Sequence, residues 1–172
     1  CLDFECEVGL FMGQGNALGS PIPLHQAQDH MFGLTLLNDW SARDMQSWES
    51  QPLGPFLAKS FMTSLSPWVV TMQALAPFRT AAADRGADAP ALLPYLHDTA
   101  DRTHGGLQLH LAIGLQTPRM REQGLAHHVI SRPKFEDQYW TLGQMVAHQT
   151  SNGCNLQAGD LIGSGTVSGP RA

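Results

Sequence analysis

Residues 2–11, Leu-Asp-Phe-Glu-Cys-Glu-Val-Gly-Leu-Phe, put Leu2, Phe4, Cys6, Val8 and Leu10 on one side and Asp3, Glu5 and Glu7 on the other. A period of two belongs to a β-strand with one buried face. The opposite face then carries three carboxylates, successive ones about 6.5 Å apart at Cα. Carboxylates at that spacing repel, so water must screen them, one must protonate, or a cation must sit among them. The segment thus fixes one strand and sets an electrostatic problem, which is most simply solved by a bound cation.

The rest of the chain decides what kind of molecule surrounds that strand. At 172 residues it is one domain, or the larger part of one, with chain enough to bury a core. Apolar residues make up 42% and charged residues 15%, which excludes disorder. A net charge of -5 gives no electrostatic case for nucleic acid or an anionic membrane. No run of about 18 apolar residues and no signal-peptide pattern is present. The cysteines at 1, 6 and 154 lack metal or disulfide spacing, which favours a reducing, cytoplasmic setting. The sequence begins at Cys1 on the edge of a strand and stops just after a Gly-Pro turn. The expectation is a core cut from a longer protein.

Taken in order, 13–23 form a Gly-rich turn whose spacing misses a dinucleotide fingerprint, and 24–30 suit a short helix. Met31 to Leu37 is a compact apolar run, expected as a buried strand that delivers Asn38 and Asp39 at its end. Ser41 followed by Asp44 marks a helix start. On that helix Ala42, Met45 and Trp48 gather as an anchoring face, while Arg43, Gln46 and Ser50 face the carboxylates. Pro52 to Pro55 ends it. Lys59 stands alone among apolar residues 56–61. Trp68 to Thr71 reads as a strand and 79–105 as an exposed excursion. Gly106 to Thr117 reads as one half-buried strand with Leu107, Leu109, Leu111, Ile113 and Leu115 inward, and 127–132 as another. Trp140 to Thr150 reads as a helix closed by Asn152-Gly153. Asp160 to Gly165 is a strand, followed by a loop carrying Thr166. Strands outnumber helices without alternating with them, so a mainly β fold with a few short helices is expected.

From residue types alone, Glu5, Glu7 and Asp39 form an all-oxygen set suited to Mg²⁺, Ca²⁺ or Mn²⁺ rather than zinc. Arg43, Gln46 and Lys59 could stabilise a developing oxyanion. The eight histidines show no ligand spacing, no serine sits in a nucleophile elbow, and Cys6 faces the core.

Several stretches are familiar together. Residues 2–7 (LDFECE), 38–46 (NDWSARDMQ), 52–61 (PLGPFLAKSF), 66–70 (SPWVV), 152–156 (NGCNL) and 159–170 (GDLIGSGTVSGP) strongly resemble the fumarylacetoacetase family, with 79–105 the weakest part. The E-x-E pair and NDxSARD are shared across the superfamily, whereas PLGPFLxKSF points to the fumarylacetoacetase branch. The resemblance implies the mixed β-roll or sandwich of that family's C-terminal catalytic domain over 1–172, without its N-terminal domain and extreme C-terminus.

It implies a metal-dependent hydrolase that cleaves a carbon–carbon bond of 4-fumarylacetoacetate, giving fumarate and acetoacetate, the last step of tyrosine and phenylalanine breakdown. A cytoplasmic homodimer with Mg²⁺ and/or Ca²⁺ is expected. By that resemblance Glu5, Glu7 and Asp39 match metal ligands, and Asp39, Lys59 and Thr63 a second cation position. An ammonium is no cation ligand, so Lys59 is expected there through its carbonyl. Arg43, Gln46 and Lys59 match the catalytic oxyanion group, and Gln46 and Thr166 substrate contacts. Ser50 stands where the family has a substrate-contacting tyrosine. The family's general-base histidine and one further metal-ligating aspartate fall before Cys1, and a glutamate that orients the histidine falls beyond Ala172. The alternatives are another diketo-acid hydrolase, isomerase or decarboxylase of the superfamily, or a non-catalytic metal-binding fragment.

Overall fold

The architecture comes from a computed structural model that describes residues 1–169. Pro170 of the last motif lies outside them. The expected first strand is two: β1 (Leu2–Asp3) and β2 (Cys6–Met12), interrupted at Phe4–Glu5. After β3 (Met31–Asp39) and β4 (Ser41–Ala42), β1 pairs with β4 while β2 pairs with β3, each antiparallel. The chain therefore changes partner strand at Glu5. Alternation between inside and outside is lost there, so Leu2 is exposed rather than buried and the inward face starts at Cys6.

Helix α1 (Arg43–Glu49) leads to β5 (Thr63–Leu65) and β6 (Val70–Thr71). Both pair with the same edge of β3, near Asp39 and near Gly33 respectively. Next come β7 (Arg79–Thr80), α2 (Thr99–His104), β8 (Gly106–Leu107), β9 (Ile113–Leu115), α3 (Pro118–Glu122) and β10 (His128–Ser131). The chain ends with α4 (Leu142–Thr150) and β11 (Leu161–Gly163). The central sheet runs β11-β2-β3-β5, and β7-β8 and β10-β9 form two small sheets. The expected mainly β fold with short helices is the one observed.

The core joins one face of the central sheet (Val8, Leu10, Met12, Leu34) to α4 (Leu142, Val146, Ala147) and to Leu24, Ala27, Leu96, Leu107 and Phe135. α4 starts with a full capping box: Thr141 accepts the Gln144 N–H, and the Gln144 side chain accepts the Thr141 N–H. Gly153, at φ +88, then lets the chain turn away after the helix.

Four expectations change. Met31 to Leu37 is buried on both faces except at Phe32 and Leu36, which flank buried Leu34 on one face and which nothing among the described residues covers. Residues 106–117 are two short strands in different sheets, since the chain crosses to pair His110 with Lys134 between them. Only Val70 and Thr71 of the 68–71 run are strand. The excursion 79–105 is partly core: Leu96 and Asp101 are buried, the Asp101 carboxylate accepting the Thr141 hydroxyl at 2.8 Å and Leu96 O accepting the Gln144 amide at 3.0 Å. No helix among the described residues is long and apolar enough to cross a membrane.

Candidate metal centre

The partner change at Glu5 is what assembles the site. With β2 and β3 in register Cys6↔Asn38, the end of β3 lies beside the residues just before β2. The Asp39 N–H donates to Glu5 O at 3.1 Å, and the Glu5 N–H donates to Asn38 Oδ1 at 3.1 Å. Glu5, Glu7 and Asp39, separated by up to a whole hairpin in sequence, then offer carboxylate oxygens that all lie within 4.8 Å of one another. Asp3 does not join them; β1 carries it off toward Arg43.

Two cations from the other side of the chain meet this cluster. Lys59 Nζ lies 2.9 Å from Glu5 Oε2, 2.9 Å from Asp39 Oδ2, 3.0 Å from Asp39 O and 2.7 Å from Ser41 Oγ. Arg43 donates from Nε to Asp3 Oδ2 at 2.8 Å, and from Nη1 to Glu5 Oε1 at 2.8 Å and Gln46 Oε1 at 2.7 Å. Its Nη2 takes no acceptor among the described residues. α1 thus turns its Arg43–Gln46 side to the carboxylates, as its winding predicts. The expected anchoring face fails: no residue of α1 is buried, and Trp48 is 89% exposed. The expected helix cap fails with it. The fully buried Ser41 hydroxyl donates to Glu5 Oε1 at 3.1 Å and accepts from Lys59, so it is not free to cap Asp44.

The carboxylates are not equivalent. Burial raises the Glu7 carboxyl, the charges of Asp39 and Glu5 add to it, and the result is a group pushed up to about 7. Burial would raise Glu5 too, but hydrogen bonds from Lys59 and Arg43, with help from the Thr166 hydroxyl, bring it down to about 2. Hydrogen bonding to Arg43 lowers Asp3 as well. Glu7 is only 4% exposed. Among the described residues its one donor is the Gly165 N–H, 3.1 Å from Oε2. A buried carboxylate held by a backbone amide, with two anionic neighbours and no direct cation among the described residues, is suited to a divalent ion that would supply positive charge. The all-oxygen donors fit a hard cation.

Of the other candidate residues, Thr63 pairs opposite Asp39 across β3 and β5. Ser50 sits at the end of α1 and gives its hydroxyl to the Gln46 carbonyl, facing the helix backbone. A cleft of about 640 Å³, bounded by Phe4, Cys6, Asn38, Ser64 and His110, reaches Glu7. Cys6 is half-buried with its thiol raised by burial, in line with an inert role. Sequence reasoning missed Ser41 as a bridge between Glu5 and Lys59, and Asn38 as the acceptor that holds the Glu5 backbone. Both lie in the NDxSARD stretch, whose polar residues cluster where a strand ends, and that was the available signal.

Comparison with known proteins identifies the family. The model of the fumarylacetoacetate (FAA) hydrolase C-terminal family matches residues 1–172. The chain is similar to fumarylacetoacetases of Arabidopsis thaliana (49% identical over 169 residues), Dictyostelium discoideum (48% over 170) and Homo sapiens (47% over 169). Each alignment covers 98% of this chain and 38% of the relative, so the chain spans about two-fifths of those proteins' length. Among solved structures it is similar to fumarylpyruvate hydrolase from Pseudomonas aeruginosa in complex with Mn²⁺ and pyruvate. That likeness has TM-score 0.58 and 22% identity, over 96% of this chain and 54% of that one. It is also similar to fumarylacetoacetate hydrolase from Exiguobacterium antarcticum, with TM-score 0.57 and 21% identity, over 98% of this chain and 45% of that one. The family match over the whole length and relatives near half identity agree with the observed β architecture: the chain belongs to the fumarylacetoacetate hydrolase C-terminal family.

Proposed function

We propose that this chain is the core of the catalytic domain of a fumarylacetoacetase, which hydrolyses the carbon–carbon bond of 4-fumarylacetoacetate to fumarate and acetoacetate. The observation that carries the reading is the convergence of Glu5, Glu7 and Asp39 under Lys59 and Arg43 in a chain about 48% identical to fumarylacetoacetases. Glu5, Glu7 and Asp39 would hold Mg²⁺ or Ca²⁺, and a second cation would use Asp39, Thr63 and the Lys59 carbonyl. A divalent ion there would supply Lewis acidity toward a ketone oxygen.

The residues of the chain supply the rest. Attack of water on the ketone and departure of acetoacetate as an enolate both place negative charge on oxygen, so fixed donors lower the barrier. Arg43, already pinned through Nε and Nη1, has Nη2 for such an oxygen, and Gln46, oriented by Arg43, has its amide N–H₂. Lys59 keeps its positive charge because burial, which would lower its pKa, is outweighed by hydrogen bonds to Glu5 and Asp39. Gln46 and Thr166 would contact the substrate. Ser50, smaller than the family's tyrosine, leaves room there and widens the range of acyl groups accepted. On this reading the protein acts at the last step of tyrosine and phenylalanine breakdown, as a cytoplasmic homodimer.

The test is turnover by the full-length protein. Loss of the diketo acid's ultraviolet absorbance is expected with 4-fumarylacetoacetate, slower with acylpyruvates, and abolished by Glu7→Gln and by Asp39→Ala. Preference for an acylpyruvate would move the protein to another branch of the superfamily. Metal binding without turnover of any diketo acid would leave only a metal-binding domain.

A further inference from the structure

At the end of β11 the chain makes a turn that brings the Gly165 N–H to the Glu7 carboxylate. The way this turn is made is unusual. Gly163 pairs with Gly9, so Ser164 stands opposite Val8, in a pair where each residue would give its N–H to the other's carbonyl. One of those bonds is present, Ser164 N–H to Val8 O at 2.9 Å. The other is not. The Val8 N–H goes instead to the Ser164 hydroxyl, at 3.1 Å, and that hydroxyl donates onward to Gly165 O at 2.8 Å. The Ser164 carbonyl, released from the ladder, turns outward to the Gln138 amide at 2.8 Å. Ser164 is buried, and Gly165 follows at φ +73, the left-handed conformation that turns its N–H back onto Glu7. Gly163 leaves Glu7 its space, since a Cβ there would lie 2.8 Å from Oε2.

We propose that Ser164, braced by Gln138, is a positioning residue for the metal site: its hydroxyl stands in for a ladder carbonyl and so holds the Gly165 turn against Glu7. Without the hydroxyl, the Val8 N–H recaptures the Ser164 carbonyl, the ladder extends by one bond, and the Gly165 N–H swings off Glu7. Gln138 acts on the same carbonyl from outside the sheet. The inference rests on reading Glu5, Glu7 and Asp39 as metal ligands.

The experiment is Mn²⁺ titration of EDTA-treated full-length protein, with free Mn²⁺ measured by electron paramagnetic resonance and the melting temperature of the metal-free form recorded alongside. Ser164→Ala is expected to weaken Mn²⁺ binding about tenfold, the usual scale for groups that orient ligands. Ser164→Thr, which keeps the hydroxyl, restores it, and Gln138→Met weakens it in the same direction by a smaller factor. A purely structural role would lower the melting temperature and leave the Mn²⁺ affinity unmoved. Unchanged affinity in Ser164→Ala and Gln138→Met, with normal binding by the wild type, overturns this inference alone. If Ser164→Ala does not fold, Gln138→Met decides in the same way. A wild-type protein that binds no Mn²⁺ overturns both the metal site and this inference.

Discussion

Lys59 makes four polar contacts with one ammonium, two of them to separate carboxylates at 2.9 Å, and its side chain is 18% exposed. Removing one member of such a buried set leaves the others charged and unpaired, which costs 3–5 kcal/mol when burial is complete. Because this site is partly open to water, Lys59→Met is expected to destabilise the metal-free protein by about 2 kcal/mol. Added Mg²⁺ should recover part of the loss by taking over as countercharge. Urea unfolding with EDTA and with Mg²⁺ measures both, and a loss of equal size in the two buffers would refute the argument. Glu7 makes the opposite prediction with pH. Its carboxyl is raised to about 7 from 4.5, so the folded metal-free state holds the proton more tightly than the unfolded one. That contribution is complete below pH 4.5 and is lost as pH rises through 7, by at most about 3 kcal/mol. Glu5, lowered to about 2, contributes in the other sense: fully above its ordinary 4.5, fading as pH falls toward 2. Glu7→Gln should therefore flatten the decline in metal-free stability between pH 5 and pH 8 and leave the acid limb in place. Melting curves across that range check it.

α4 shows how a local signal and a distant one meet in a single element. Thr141 accepts the Gln144 N–H at 3.0 Å as a helix cap and at the same time donates to Asp101 at 2.8 Å. Loss of a cap costs about 1 kcal/mol, and a buried carboxylate stripped of its donor about 1–3 kcal/mol more. Thr141→Ala is expected to destabilise by about 3 kcal/mol and Thr141→Ser by far less, as read from chemical denaturation. The helix was legible because its apolar residues, its cap and its closing Asn-Gly are all local. Asp101 was not, because 79–105 has the composition of an exposed loop, and only α4 supplies the donor that allows it to be buried. The same division holds at the site. Glu5, Glu7, Asp39, Lys59 and Arg43 could be read as candidates from type and position. Which carboxylate each cation would take could not, since it depends on the partner change at Glu5 that sends Asp3 to Arg43. Ser41 was misread as a cap for the same reason: its spacing to Asp44 is local, but the groups that claim its hydroxyl come from 36 residues before and 18 residues after it.

Over the whole molecule, the cluster ties together parts of the chain that secondary structure alone joins loosely. Glu5 stands at the break between β1 and β2, Glu7 lies near the start of β2, Asp39 ends β3, and the Gly165–Thr166 turn leaves β11. A metal-free junction is short of positive charge, because Arg43 and Lys59 pair with Asp3, Glu5 and Asp39 and neither contacts Glu7. Any ion that binds the folded state and not the unfolded chain adds RT ln(1 + [M]/Kd) to its stability, about 2.7 kcal/mol at a hundredfold excess over Kd. In a domain of this size each kcal/mol moves the melting temperature by about 2–4 °C, so saturating Mg²⁺ should raise it by roughly 5–10 °C over an EDTA-treated sample. Asp39→Asn and Glu7→Gln should abolish most of that rise, whereas Glu122→Gln, on the exposed α3, should retain it. A rise of the same size in all three variants would place the ion elsewhere on the molecule. A rise confined to proteins with Glu5, Glu7 and Asp39 intact would mean that the repulsion among these three carboxylates is what the ion relieves.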